Sequence, residues 1–342
     1  MKKQIRGLAL VLALLLLTLS LVACRDKEDP KAPVVAYAAG GCEIRYDELR
    51  YVTMTQKAKL ENKYGNGIWN TPETAERYRA ELEAAVYDVL RSNYAVLVAC
   101  QQFGISLDRL ESEAVLTSVE NSVQKAIREC GGQEAFEQLL VTTYMSEDFL
   151  RFSLAVTELE NELLHKLTSE LGLIESDVNR FMTWMSDGNA VYVQHIFIEN
   201  DPGENVEANR ALAEELVRQL KNGEKNISSL VGLAINEEKL NLDPYYVVRD
   251  VYAPEIESAV LGLQNAGNVS EVVETAEGFY VFVRIAERFG EDGRNLSAIA
   301  KADALLTSYQ WARVEAYVQA AKEQVVIEWN DYGKSLDLVY MQ

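Results

Sequence analysis

Histidine and cysteine are nearly missing from this 342-residue chain, which has only His165 and His195, and cysteines at positions 24, 42, 100 and 130. No Cys-x-x-Cys pair occurs and the histidines stand thirty positions apart, which argues against a zinc or redox centre. Neither a metal nor a cofactor is expected. Positive charge is also short: 33 Lys and Arg stand against 53 Asp and Glu, a net charge of −20. Nucleic acid and anionic lipid headgroups are therefore excluded as partners by repulsion. A spanning helix needs ~20 apolar residues. The run at the start of the chain, Gly7 to Leu21, has only about 15.

That run belongs instead to a secretory signal. Lys2, Lys3 and Arg6 precede it and the small-residue sequence Leu21-Val22-Ala23-Cys24 follows it, the order of a cleavable leader. Leu-x-Ala-Cys resembles the lipobox of bacterial lipoproteins. The resemblance implies cleavage after residue 23, lipid on Cys24, and an extracytoplasmic protein anchored to the bacterial cell membrane. Arg25 to Pro33 is charged, carries two prolines and has no apolar periodicity, as suits a solvated tether. Removing residues 1–23 removes three cations, so the remaining 342 − 23 = 319 residues carry 30 − 53 = −23 charges. Cys42, Cys100 and Cys130 then remain, an odd number. One bridge stays open, but the core does not depend on disulfides.

Beyond the tether, Val34 to Tyr51 reads as a short strand, a Gly40-Gly41 turn and the polar start of a helix. From Thr74 to Phe103, Leu82, Val86, Val89, Leu90, Tyr94 and Leu97 recur at three- and four-residue steps on one helical face. Thr71-Pro72 supplies a cap and Gly104 a stop. Further helices are expected over 107–130, 133–144, 146–172 and 174–184. At Asn189 the composition changes. Residues 191–198 (VYVQHIFI) and 278–285 (GFYVFVRI) read as strands, with helices over 207–222 and 253–260 between them. A last helix is expected over 297–324, with Leu305, Leu306, Tyr309, Val314 and Val318 buried.

The segment from Val191 to Ile285 resembles a parvulin (PpiC-type) peptidyl-prolyl isomerase domain. The likeness is carried in order by Gln194-His195-Ile196, the helix Arg210 to Gly223, the stretch Tyr252 to Leu263, Gly267-Asn-Val-Ser270, and Thr275-Ala-Glu-Gly278-Phe279-Tyr280. Residues 34–190 are similar to the helical N-terminal region of the PrsA and SurA foldases, with Ala36 to Leu49 as its opening. In that family the chain after the parvulin domain folds back, as Ser297 to Leu338 would here. The implied fold class is α+β: a helical SurA-N-like chaperone domain, built from the N-terminal region plus a C-terminal helix, with an inserted parvulin-like α+β domain. The implied divisions are 1–23 signal, 24–33 lipidated Cys and tether, 34–190 helical domain, 191–288 parvulin-like domain and 297–342 C-terminal helix. Unfolded or exported polypeptides are the implied partners, and a homodimer is left open.

Parvulins set two histidines back to back beside a Cys, Asp or Ser and an apolar proline pocket. His195 falls on the first histidine, but Tyr280 stands where the second would be. Glu237 falls at the Cys/Asp/Ser position, and Thr275 precedes the last strand. The Gly-Asp-Leu-Gly-x-Phe segment corresponds to Leu242-Asp243-Pro244-Tyr245-Tyr246-Val247, losing both glycines and the phenylalanine, and the pocket methionine is Tyr252. The resemblance thus nominates His195, Glu237, Tyr280 and Thr275 for chemistry, and Tyr245, Tyr246, Val247 and Tyr252 for substrate contact. His195 is expected to be a packed strand residue bonded to Tyr280 or Thr275. The expected function is a tethered foldase acting mainly as a chaperone. An active isomerase and an assembly factor with one dedicated partner are the alternatives.

Overall fold

A computed structural model describes residues 31–200, 206–230, 244–275, 277–286 and 295–341. The signal, Cys24, most of the tether, Glu237, Leu242 and Asp243 lie outside the described residues. The chain divides into two compact units: one from the N-terminal part through Leu163 together with Tyr317 onward, the other from Leu164 to Ala316. The second is wider than the span 191–288, and the physical reason is a cluster of apolar side chains described below. The fold class is α+β. No helix among the described residues is long and apolar enough to cross a membrane.

The first unit opens with β1 (Val34–Ala38) and β2 (Cys42–Arg45), an antiparallel hairpin around Ala39, Gly40 and Gly41, all with positive φ. Five helices follow within or entering this unit: α1 (Tyr46–Tyr64), α2 (Pro72–Gln102), α3 (Glu113–Cys130), α4 (Gln133–Thr142) and α5 (Glu147–His165). Thr71 caps α2 by accepting the Thr74 N–H at 3.3 Å, and Leu82, Val86, Leu90, Tyr94 and Leu97 are buried on its inner face. Where one helix is expected over 107–130, the chain forms a 3-10 turn at Leu107–Glu111 and breaks at Ser112. There the side chain accepts the Val115 N–H at 3.4 Å and starts α3 afresh. Cys42, Cys100 and Cys130 are all free thiols. Burial pushes the Cys100 thiol up to about 12, and the neighbouring carboxylates Glu162 and Glu160 add to the shift.

The chain returns to this unit at its other end. β7 (Glu328–Trp329) pairs with β1 as the third strand, in the order β2-β1-β7. α10 (Asp331–Ser335) then crosses β1 so closely that a Cβ on Gly333 would lie 2.1 Å from the Val35 carbonyl oxygen. Lys57 donates to the Val339 and Met341 carbonyls at 2.8 and 3.0 Å, and Arg79 clasps both oxygens of Asp337 at 2.8 and 3.0 Å.

Glu48, at the start of α1, is 2 % exposed. Its carboxylate accepts from Asn93 at 3.2 Å and from the Tyr94 hydroxyl at 2.9 Å, and that hydroxyl also lies 3.1 Å from the Glu43 carbonyl. Burial outweighs those bonds and, with Asp47 alongside, raises its pKa from 4.5 to about 7.

The second unit holds a four-stranded antiparallel sheet in the order β4-β3-β6-β5. Its strands are β3 (Ala190–Glu199), β4 (Tyr245–Val248), β5 (Val273–Thr275) and β6 (Gly278–Arg284). The even residues Ile196 and Ile198 of β3 join Phe279, Val281 and Val283 of β6 beneath α7 (Val206–Lys221), which inserts Ala213, Leu216, Val217 and Leu220. On the opposite face Val191, Val193, Val247, Val273 and Phe282 pack under Val260 of α8 (Pro254–Leu261) and Leu263. Ala190, Tyr246 and Val248 carry a third cluster with Phe181 and Met185. Phe181 comes from α6 (Val178–Trp184), and Leu306 joins from α9 (Asn295–Lys322). This last cluster draws residues 164–190 and the first part of α9 into the unit. Truncating a filled ring position such as Phe279 or Phe282 to Ala typically costs about 3–5 kcal/mol.

Glu48 generates a test with a definite sign. The native carboxyl keeps its proton up to about pH 7 while the unfolded chain loses it near 4.5, so this group makes stability fall as pH rises through that window. At about 1.4 kcal/mol per tenfold change in proton affinity, the full effect is roughly 3 kcal/mol. Glu48→Gln is expected to match wild type at pH 4 and to exceed it at pH 8 in urea unfolding. Equal stability of the two proteins at both pH values would contradict the assignment.

Candidate active site around His195

Strand alternation decides what His195 touches. In β3 the odd residues face α8, so His195 shares a face with Val191, Val193 and Phe197. The β3–β6 register sets His195 directly opposite Phe282 and puts Tyr280 on the diagonal, opposite Phe197. The β3–β4 register sets Tyr245 opposite Val193, the other diagonal neighbour. The imidazole is consequently ringed by aromatics, with centroids 5.4 Å from Tyr245, 5.4 Å from Tyr280 and 5.8 Å from Phe282. Tyr280 stacks on Phe197 at 4.3 Å and on Phe282 at 5.6 Å.

The hydrogen bond of the site joins the Tyr245 hydroxyl to His195 Nδ1 at 2.8 Å. This corrects the expectation that Tyr280 or Thr275 would bond the histidine. The Thr275 hydroxyl donates to the Gly278 carbonyl at 3.1 Å and accepts the Glu277 N–H at 3.3 Å, and so belongs to the β5–β6 turn. Burial lowers the His195 pKa from 6.5 to about 4, which leaves it neutral at neutral pH. Burial likewise pushes the Tyr245 and Tyr252 hydroxyls above the ordinary tyrosine range, with Tyr252 and Tyr280 adding to the shift at Tyr245. A neutral imidazole bonded to a neutral phenol offers hydrogen bonds and ring faces rather than a charge.

The structure separates the nominated residues. Tyr245, Tyr252 and Tyr280 gather on the His195 face, with Tyr252 6.3 Å from Tyr245 and its hydroxyl donating to the Tyr246 carbonyl at 3.1 Å. Val247 shares that face but is wholly enclosed. Tyr246 points to the opposite face, where its ring lies 4.7 Å from Tyr192 and packs with Phe181, Met185 and Leu306. Phe197 and Phe282 were not nominated, although their parity with His195 and Tyr280 is readable once the two strands are paired. Among the described residues no group of three His, Cys, Asp or Glu could hold a metal ion.

Two further residues hold β6 in place. Ser270, 3 % exposed, accepts the Phe282 N–H on its hydroxyl at 3.0 Å and donates its own N–H to the Phe282 carbonyl at 2.9 Å. The Gly267–Ser270 segment thus extends the β5 edge alongside β6 past a break in the ladder. Gly278 opens β6 at φ +152°, and a Cβ there would sit 2.1 Å from the Ile198 carbonyl oxygen.

Residues 195–286 match the family model described as Rotamase, PPIC-type PPIase domain. No curated protein matches the chain. Among solved structures, the peptidylprolyl isomerase PrsA of Bacillus anthracis is 16% identical, over 69% of this chain and 96% of its own, with a TM-score of 0.38. The foldase protein PrsA of Streptococcus pneumoniae is 15% identical over 83% and 91%, with a TM-score of 0.33. A chain from the pair PEB4 and Cj1289, described as SurA-like chaperones of Campylobacter jejuni, is 12% identical over 87% and 99%, with a TM-score of 0.27.

Gly278 gives the test of this site's frame. Gly278→Ala should lower the stability of the second unit by on the order of 3 kcal/mol, because both the backbone conformation and the approach of β3 forbid a side chain. An unaltered thermal midpoint for that unit would refute the close approach.

Proposed function

We propose that the chain is an extracytoplasmic, lipid-anchored foldase that acts mainly as a chaperone. In this reading the parvulin-like domain binds proline-containing segments of unfolded or exported polypeptides and is weak or inactive as an isomerase. The family match over 195–286 supports the kind of domain, and the Leu21-Val22-Ala23-Cys24 leader supports the anchoring. The observation that carries the weak-isomerase reading is the partner of His195. A tyrosine hydroxyl, not a second imidazole, meets its ring nitrogen at 2.8 Å, and Tyr280 fills the third position of Gly278-Phe279-Tyr280.

Magnitudes agree with that reading. Rotation about an X-Pro bond faces a barrier near ~20 kcal/mol, and a protein lowers it only by holding the twisted amide better than the planar one. One neutral hydrogen bond contributes roughly 1 kcal/mol, which is less than about tenfold in rate. Binding needs much less, because aromatic faces with polar tips suit brief contact with apolar and proline-bearing segments.

The test pairs two assays on the same preparation. In a protease-coupled assay with a chromogenic proline tetrapeptide, wild type is expected to stay within about tenfold of the uncatalysed rate, His195→Ala to change nothing, and Tyr280→His to gain activity. In the second assay, wild type should suppress aggregation of an unrelated unfolded protein. Strong turnover that His195→Ala abolishes would replace this reading with that of a working isomerase. Failure to suppress aggregation would remove the chaperone part.

A further inference from the structure

His195 and Tyr245 form an isolated pair. Among the described residues the Tyr245 hydroxyl has one hydrogen-bond partner, His195 Nδ1 at 2.8 Å, and His195 has none besides that hydroxyl. The direction of the bond follows. If Nδ1 carried the proton and donated to the tyrosine oxygen, the phenolic O–H would be left in a mostly buried place with no acceptor among the described residues, a costly arrangement. If the phenol donates to a bare Nδ1, every proton at the contact is used, and the imidazole proton resides on Nε2.

We propose that Tyr245 is a positioning residue: by donating to Nδ1 it fixes His195 as the Nε2–H tautomer, a permanently uncharged donor suited to a backbone carbonyl of a bound peptide. The inference deepens the peptide-binding reading above and, for its ligand, rests on it. The surroundings agree. Among the described residues the rings facing the imidazole are those of Tyr245 from β4 and of Tyr280 and Phe282 from β6. From α8, the Glu257 carboxylate is occupied by the backbone N–H groups of Val251 and Tyr252 at 2.8 and 2.9 Å. Burial is the cause of the lowered histidine pKa, and a bond donated to the neutral ring adds to the same preference. A peptide bound through this donor should therefore hold equally well from pH 5.5 to 8, whereas a titrating histidine would show a step near 6.5.

The experiment uses the full chain with 15N-labelled histidine. Only two histidines occur, so His165→Gln assigns the spectrum. Wild type is expected to show His195 with a bare Nδ1 and a protonated Nε2, unchanged from pH 5.5 to 8. In Tyr245→Phe the fixed tautomer should be lost and the ring should titrate at higher pH than in wild type, while affinity for a proline tetrapeptide drops roughly tenfold. A wild-type spectrum with the proton on Nδ1, or a Tyr245→Phe spectrum identical to wild type, overturns the inference. If Tyr245→Phe fails to fold, the wild-type spectrum alone decides. If the spectra behave as expected but no proline peptide binds, the hydrogen bond stands and the peptide-binding reading falls.

Discussion

The antiparallel pairing of β3 with β6 is the constraint on which the second unit depends. It runs from Val193–Arg284 to Glu199–Gly278, and a slip of one residue would carry His195 to the α7 face and bring Ile196 and Ile198 out of their cluster. Gly278 sets one end of that register by letting β6 press against Ile198 and Glu199. Ser270 steadies the strand further along through the backbone of Phe282. The aromatic surroundings of His195, its uncharged state and its bond to Tyr245 all follow from which side chains this ladder sets side by side.

Buried polar groups are handled differently in the two units. In the first, Glu48 meets both donors and a relay to the Glu43 carbonyl, so its carboxyl can take up a proton without leaving its place. In the second, the polar side chains that the described residues set beside His195 are tyrosines, and burial keeps the imidazole neutral. The first arrangement responds to proton concentration near neutrality; the second is insulated from it.

Much of the helical frame was legible in the sequence, because its signals are local. Thr71-Pro72 and the apolar steps of α2 announce that helix, and the β-branched run around His195 announces β3. Ser112 was not legible as a break, because its neighbours continue a helical pattern on both sides of the position where it caps the helix. The site was legible in part. His195 is visible from the motif around it, whereas its partner depends on how β4 pairs with β3, a relation between distant segments. Adjacent tyrosines 245 and 246 look equivalent in the sequence, yet one reaches the imidazole and the other enters the cluster with Phe181.

The return of the chain to its starting strand has a consequence for the order of folding. Asn330 donates to the Val34 carbonyl across 296 positions, and Lys57 holds carbonyls near the end of the chain across 282 and 284. The first unit thus has loop-closure entropy to overcome before these distant contacts form. The sheet of the second unit, whose strands lie within about one hundred residues, has no such wait. A chain emerging from its N-terminus would complete that sheet first. Its opening hairpin would keep an unpaired edge until the last residues arrive.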